Sequence, residues 1–197
     1  MPESLTEIGE GALENCNNLS KIHLPKNLTS IGNYAFRGCK SLSSIEMPSN
    51  VLNIGEGAFF RNEALVTIKI PSSVTTIRDN AFTFCTAMTS IEVASDNQNY
   101  ASVDGVLYNK DKSILVKCPA KLSGSFAVPS TVTTISSSAF DGCEGLTSVE
   151  IPSSVTTIMK YAFRNCTNLD ITIDNSESNV TVQLDAFKEC KSVTWKK

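Results

Sequence analysis

Histidine and tryptophan are almost missing from this 197-residue chain, with only His23 and Trp195 present. A single histidine excludes multi-histidine metal sites and leaves little scope for His-based catalysis. Charge is also sparse: 17 basic and 20 acidic residues make up 19% of the chain and give a net charge of −3. So weak a field offers a polyanion nothing to follow, and nucleic acid is not an expected partner. No run approaches the roughly 20 apolar residues of a membrane span, so membrane insertion is not expected. No signal peptide opens the sequence. Met1-Pro2-Glu3 leads directly into a structural unit at Leu5, the start expected of an excised fragment that has lost a targeting segment.

What the chain does have is hydroxyl and amide: 25 Ser, 18 Thr and 16 Asn. It also has seven cysteines, and their spacing is the next clue. Cys16 and Cys39 lie 23 apart, Cys39 and Cys85 lie 46 apart, Cys143 and Cys166 lie 23 apart, and Cys190 follows 24 later. Such a period signals internal repeats. Written at that period, Leu5–Asn27, Leu28–Asn50, Val51–Ser73 and Val132–Ser154 align, and further copies open at Val74 and Val155. A degenerate copy runs from about Asn179 to Trp195. The shared pattern is Leu/Val-x-x-Ile-x-x-x-Ala-Phe-x-x-Cys-x-x-Leu/Met-x-x-Ile/Val-x-apolar-Pro, with seven Ala-Phe units if Leu13 is counted for Phe.

Each position has a physical reason. The pairs Ile22/Leu24, Ile45/Met47, Ile68/Ile70 and Val149/Ile151 alternate as a half-buried strand does. Pro25, Pro48, Pro71 and Pro152 end that strand, because proline cannot donate to a ladder. Val-Thr-Thr-Ile is β-branched and suits a second, short strand. Ala-Phe-x-x-Cys is too short for a free-standing helix and predicts one helical turn. The phenylalanines at 36, 59, 82, 140, 163 and 187 are expected to stack into a spine. One copy cannot bury its own apolar face, whereas stacked copies can.

The repeat resembles the leucine-rich repeat of the BspA type, found in bacterial and protozoan surface proteins, from Leu5 to about Trp195. The fold expected is an α/β repeat solenoid, a leucine-rich-repeat-like stack of ~23-residue units. Each unit has two short strands and one helical turn, and one β-hairpin is inserted. The resemblance implies a curved repeat fold and cell-surface or secreted adhesion to host matrix proteins or neighbouring cells. Two departures stand out: Asn62 replaces the periodic cysteine, and the last copy loses its proline.

The domain expected is a single solenoid over 1–197, interrupted at about 94–131. Within the interruption, Gly105–Tyr108, Asn109–Lys112 and Ser113–Val116 read as strand, polar turn and strand. Phe126-Ala-Val-Pro129 then matches the strand–proline end of the repeat. BspA-like proteins carry a similar Asn-Tyr-x-Ser-x-Asp-Gly-Val-Leu-Tyr segment, matched by Asn99–Tyr108. The insertion reads either as a structural adjustment of the stack or as a protruding contact, with Tyr108, Asn109 and Lys110 as its candidate residues.

Neighbouring cysteines of the stack would lie ~5 Å apart, within disulfide range. Pairing adjacent copies still strands three thiols, counting Cys85 and Cys118, so buried free thiols are the expected state. No Cys-x-x-Cys occurs, which argues against zinc. Asn62 is expected to turn inward toward backbone groups. Asp96-Asn97-Gln98-Asn99 with Asp104 clusters oxygens, but without EF-hand spacing, so neither metal nor cofactor is expected. Acids follow the repeat as surface substitutions do and form no catalytic pair.

His23, Glu46, Lys69, Glu92 and Glu150 occupy the outward position of the long strand in successive copies. That column reads as a solvated face or as part of a protein-binding surface. The expected function is a non-enzymatic adhesion or protein-binding module, outside the cell or on its surface, with a monomer as the expected oligomeric state. Its partner would be an extracellular-matrix or host cell-surface protein. The alternative is an intracellular interaction scaffold built on the same repeat.

Overall fold

Apolar residues 23 positions apart must come into register if each copy is to bury its neighbour's face. In the computed structural model, which describes residues 1–196, they do, and the result is a β-solenoid of about eight turns. The first half runs through β1 (Glu7–Ile8), β2 (Ser30–Ile31), β3 (Asn53–Ile54), β4 (Thr67–Ile70), β5 (Thr76–Ile77) and β6 (Ser90–Val93). The insertion supplies β7 (Tyr100–Val103), β8 (Val106–Asn109) and β9 (Ile114–Lys117). The second half runs through β10 (Gly124–Ala127), β11 (Thr134–Ile135), β12 (Leu146–Ile151) and β13 (Thr157–Ile158). It ends with β14 (Asp170–Ile173), β15 (Thr181–Val182) and β16 (Ser192–Trp195).

The short strands β1, β2, β3 and β5 form one parallel sheet, in which Glu7 pairs with Ser30, Ser30 with Asn53 and Asn53 with Thr76. The longer strands β4 and β6 pair in parallel, as do β10, β12, β14 and β16 in order. Pro71 and Pro152 end β4 and β12 as expected, whereas the long strands expected before Pro25 and Pro48 do not form among the described residues. The prolines also open the next turn. The carbonyls of Pro25, Pro48 and Pro71 accept from the N–H groups of Leu28, Val51 and Val74 at 3.1–3.2 Å.

The Ala-Phe-x-x-Cys segment is not the helical turn expected; the only helical element among the described residues is the 3₁₀ turn Glu177–Asn179. The segment is instead a pair of tight turns. In the second copy Ala35 donates to Gly32 O and Cys39 to Phe36 O, both at 3.3 Å. The third residues of these turns, Tyr34 and Gly38, have φ of 56° and 72°, as type II turns require. The same two positive-φ positions recur at Gly57/Arg61, Ser138/Gly142 and Tyr161/Asn165. The remaining N–H groups point along the stack: Tyr34, Phe36 and Gly38 donate to Glu56, Ala58 and Phe60 of the next copy at 2.7–2.8 Å. A helix would turn those groups back along its own axis. Bonding to the next copy and forming a helix are therefore mutually exclusive, and the stack wins.

The forward bonds stop at the insertion. Asn80, Phe82 and Phe84 occupy the equivalent positions but make no such bond among the described residues. Forward bonding resumes with Cys118 N–H to Ala139 O at 2.8 Å and is complete from Ser138, Phe140 and Gly142 to Lys160, Ala162 and Arg164. The phenylalanine spine breaks at the same level. Phe36–Phe59–Phe82 stack at 5.3 and 5.8 Å, and Phe140–Phe163–Phe187 at 4.6 and 5.8 Å. Phe126 packs edge-on against Phe140 at 5.7 Å.

The insertion is a three-stranded meander rather than a lone hairpin. The predicted hairpin is β8–β9, and β7 precedes it, turning into β8 at Asp104-Gly105. Both turn residues have positive φ, 50° and 78°, which suits an Asp-Gly hairpin of type I′. This turn lies against β6, where Gly105 O accepts from the Ile91 N–H at 2.8 Å. At the other side β9 pairs in parallel with β11 and so enters the column of short strands. The apolar core forms two clusters that meet at β8: Leu107 belongs to the first, while Val106 and Tyr108 belong to the second.

Candidate functional site

The expected outward column is exposed at His23, Glu46, Lys69, Glu92 and Glu150, but only Lys69, Glu92 and Glu150 lie on strands, in β4, β6 and β12. The structure brings part of it together. Lys69 and Glu92 stand opposite each other across β4 and β6 and form an ion pair at 3.7 Å. His23 Nε2 lies 3.8 Å from Glu3, and His23 and Glu46 line a shared shallow depression. Glu150 does not join them. It stands in the sheet beyond the insertion, between Ala127 and Thr172, so the column is two columns. Cross-strand pairs of opposite charge stabilise a sheet face by a few tenths of a kcal/mol, which is reason enough for Lys69 and Glu92 to be where they are.

The insertion residues differ from a protruding contact. Tyr108 is 2% exposed and turned into the second core, where burial pushes its hydroxyl up to about 12. That is a correction to its reading as a surface contact: β8 is covered on both faces, so its alternation selects between two cores rather than between core and solvent. Asn109 is half-buried and builds the turn, accepting from Ile114 N–H at 2.8 Å and donating to Ser113 Oγ at 3.0 Å. Lys110 is exposed, with its ammonium bonded to the Asn97 carbonyl. Asn97, from the oxygen cluster weighed for calcium, is fully buried. It spends its amide on Pro71 O and Val74 O and its oxygen on the N–H groups of Asn99 and Tyr100.

All seven cysteines are unbridged. Cys39, Cys85, Cys166 and Cys190 each donate S–H to a main-chain carbonyl of the preceding copy at 3.1–3.2 Å. Burial pushes the Cys39 thiol up to about 11 and Cys85 to about 12. A thiol held protonated above neutral pH is a poor nucleophile. These side chains tie one copy to the next.

A second surface runs along the turn side, and it was not anticipated from the sequence. Arg37 lies over the rings of Tyr34 and Phe60, at 5.7 and 5.6 Å, and Arg61 over Phe60 and Phe84, at 5.6 and 5.8 Å. Arg164 lies over Phe84 and Tyr161, at 5.8 and 4.4 Å, which carries the row across the insertion. Arg164 also bonds Asp141, fully buried, at 2.6 Å. Every member of the row is exposed or half-exposed. Such cation–π contacts contribute about 0.5–1 kcal/mol each at exposed sites. The signal was legible in principle: the variable positions between Phe and Cys in each copy hold Arg37, Phe60, Arg61, Phe84 and Arg164.

Comparison with known proteins adds the following. A family model described as BspA type Leucine rich repeat region matches six copies, over residues 1–104 and 117–195. A crystal structure of a leucine-rich repeat protein from Eubacterium ventriosum is 28% identical with a TM-score of 0.71, covering 98% of this chain and 64% of that one. A leucine rich cell surface protein from Faecalibacterium prausnitzii is 27% identical with a TM-score of 0.76 and the same coverage. The chain thus spans 64% of the length of these two solved structures. The pneumococcal vaccine antigen PcpA, 20% identical with a TM-score of 0.62 over 100% of this chain and 67% of its own, shares the fold. No curated protein matches the sequence.

Proposed function

This chain belongs to the BspA-type leucine-rich repeat family, and on that premise we propose that it is a cell-surface adhesion module that binds proteins through its repeat surface. Leucine-rich repeats generally serve as protein-interaction scaffolds, and one similar protein is described as a cell surface protein. The observation that carries the proposal is the arginine–aromatic row on the turn side. Arginine and aromatic side chains supply most of the energy at protein interfaces, and here they are laid out in sequence over both halves of the chain. The strand-face column of His23, Glu46, Lys69 and Glu92 is the second contact surface of the proposal, with Glu150 beyond the insertion.

The test is attachment of the purified chain to cultured epithelial cells and to immobilised collagen and laminin. Phe60→Ser combined with Arg61→Glu should lower attachment at least tenfold while leaving the circular dichroism unchanged. Charge reversal at Glu46, Lys69 and Glu92 together should lower it less. Attachment of the Phe60/Arg61 variant at the parent's level would refute the turn-side assignment. The seven unbridged thiols favour a second reading, an intracellular interaction scaffold, because reducing compartments keep thiols free. Failure of the parent to attach to cells or to either matrix protein would overturn the adhesion proposal in favour of that reading.

A further inference from the structure

Where the stack is interrupted, the chain forms a half-open cavity of about 320 Å³ between the coil that carries Phe82 and the coil that opens at Ser136. That is within the range of small-ligand sites, about 300–1,000 Å³. One part of the lining is apolar, from Ile77, Phe82, Ile114 and Val116. The rest includes polar groups whose bonding is incomplete. Thr83 and Ser137 line the cavity, are 1% and 6% exposed, and their hydroxyls have no hydrogen-bond partner. Lys117 also lines it, is 5% exposed, and bonds only the carbonyl of Ser138, at 2.8 Å.

These facts conflict with a purely structural role for the cavity. A buried ammonium without a carboxylate is costly, and a buried hydroxyl without a partner costs about 1–3 kcal/mol. The main chain adds to the imbalance, since Asn80 and Phe82 contribute to the lining and lack the forward bond their equivalents make. All of these unmet groups can donate, and one of them is cationic. Arg78 and Asp79 are also in the lining, both exposed, and their opposite charges offset each other.

We propose that this cavity is a binding site for a small organic carboxylate. Its oxyanion pairs with Lys117 and takes hydrogen bonds from the Thr83 and Ser137 hydroxyls and the Asn80 and Phe82 N–H groups. Its short apolar body lies along Ile77, Phe82, Ile114 and Val116. The site goes beyond the adhesion proposal and is independent of it, since none of these residues belongs to the arginine–aromatic row or the strand-face column.

The experiment titrates the intact chain with sodium benzoate, its neutral isostere benzamide, and inorganic phosphate, followed by calorimetry and amide NMR. Benzoate should bind and shift the amides of Asn80, Phe82, Thr83 and Ser137, with benzamide and phosphate at least tenfold weaker. Lys117→Met keeps the volume and removes the charge. It should stay folded and lose benzoate affinity at least tenfold, while Thr83→Val loses several-fold. Should Lys117→Met not fold, Thr83→Val with the benzamide comparison decides the matter alone. The proposal is overturned if benzoate does not bind, if the shifts map elsewhere, if benzamide binds as well, or if phosphate binds better than benzoate.

Discussion

Asn62 shows how far single residues could be read. It stands at the cysteine position of the third copy, and its inward placement follows from the repeat, as does its full burial. The sequence also suggests that its amide should reach backbone groups, and it does not: neither Nδ2 nor Oδ1 has a partner. Cys39 and Cys85 at this position each reach a carbonyl of the preceding copy, at 3.2 and 3.1 Å. Spacing fixes which way a side chain faces, but not whether an acceptor lies within a few tenths of an ångström of it. Asn62→Cys should therefore stabilise the chain by about 1–2 kcal/mol, by removing an unsatisfied buried amide and restoring the bond between copies. Urea unfolding would register a higher midpoint at an unchanged slope. An unchanged or lower midpoint would mean that the amide is satisfied in solution.

Among the elements, β4 and β12 and their terminal prolines were legible because alternation and the missing N–H have direct backbone consequences, while the same pattern before Pro25 and Pro48 forms no strand among the described residues. The paired turns were not legible. Apolar residues at Ala, Phe and Cys fit one turn of helix as well as they fit two tight turns. Glycine marks the left-handed positions at Gly38, Gly57 and Gly142, but Tyr34, Arg61, Phe84 and Tyr161 occupy the same positions in other copies and hide the signal. The Asp104-Gly105 turn was a stronger sign, and the strand before it was still missed. Substitutions at these positions separate the two accounts. Gly38→Ala should destabilise by about 1–2 kcal/mol from φ, with the exposed Asn15 side chain swinging aside from the new Cβ. Glu189→Gly, at φ 64° and exposed, should stabilise by up to about 1 kcal/mol. A helical turn predicts opposite signs, since glycine disfavours helix and alanine favours it. Thermal midpoints of the two variants against the parent decide between them.

For the whole molecule, the question is whether the insertion divides the stack or joins it. Among the described residues no strand ladder runs from the first half to the second: β5 ends one sheet, β6 ends another, and the second half builds on β9 and β10. What crosses is packing, together with single main-chain bonds from Ile91 N–H to Gly105 O at 2.8 Å and from Lys121 N–H to Met88 O at 2.9 Å. Leu107 fills the first core while Val106 and Tyr108 fill the second, so one strand is the shared wall of both. Arg164 on Phe84 is a contact across the same level on the turn side. We propose that this coupling makes the chain one cooperative unit, as the uninterrupted repeat pattern on either side suggests. Leu107→Ala tests it because the cavity lies on one side of the wall only. The substitution should cost about 2–5 kcal/mol. The two halves carry separate reporters: Trp195 packs against the second core, and Cys39 and Cys85 are buried in the first. In a single cooperative unit, Trp195 fluorescence and the exposure of those thiols shift by the same amount in denaturant, although Trp195 is remote in sequence from the substitution. If thiol exposure moves to lower denaturant while the Trp195 transition stays in place, the nearest-neighbour coupling of the stack fails at β8. The chain would then be two solenoids sharing a wall.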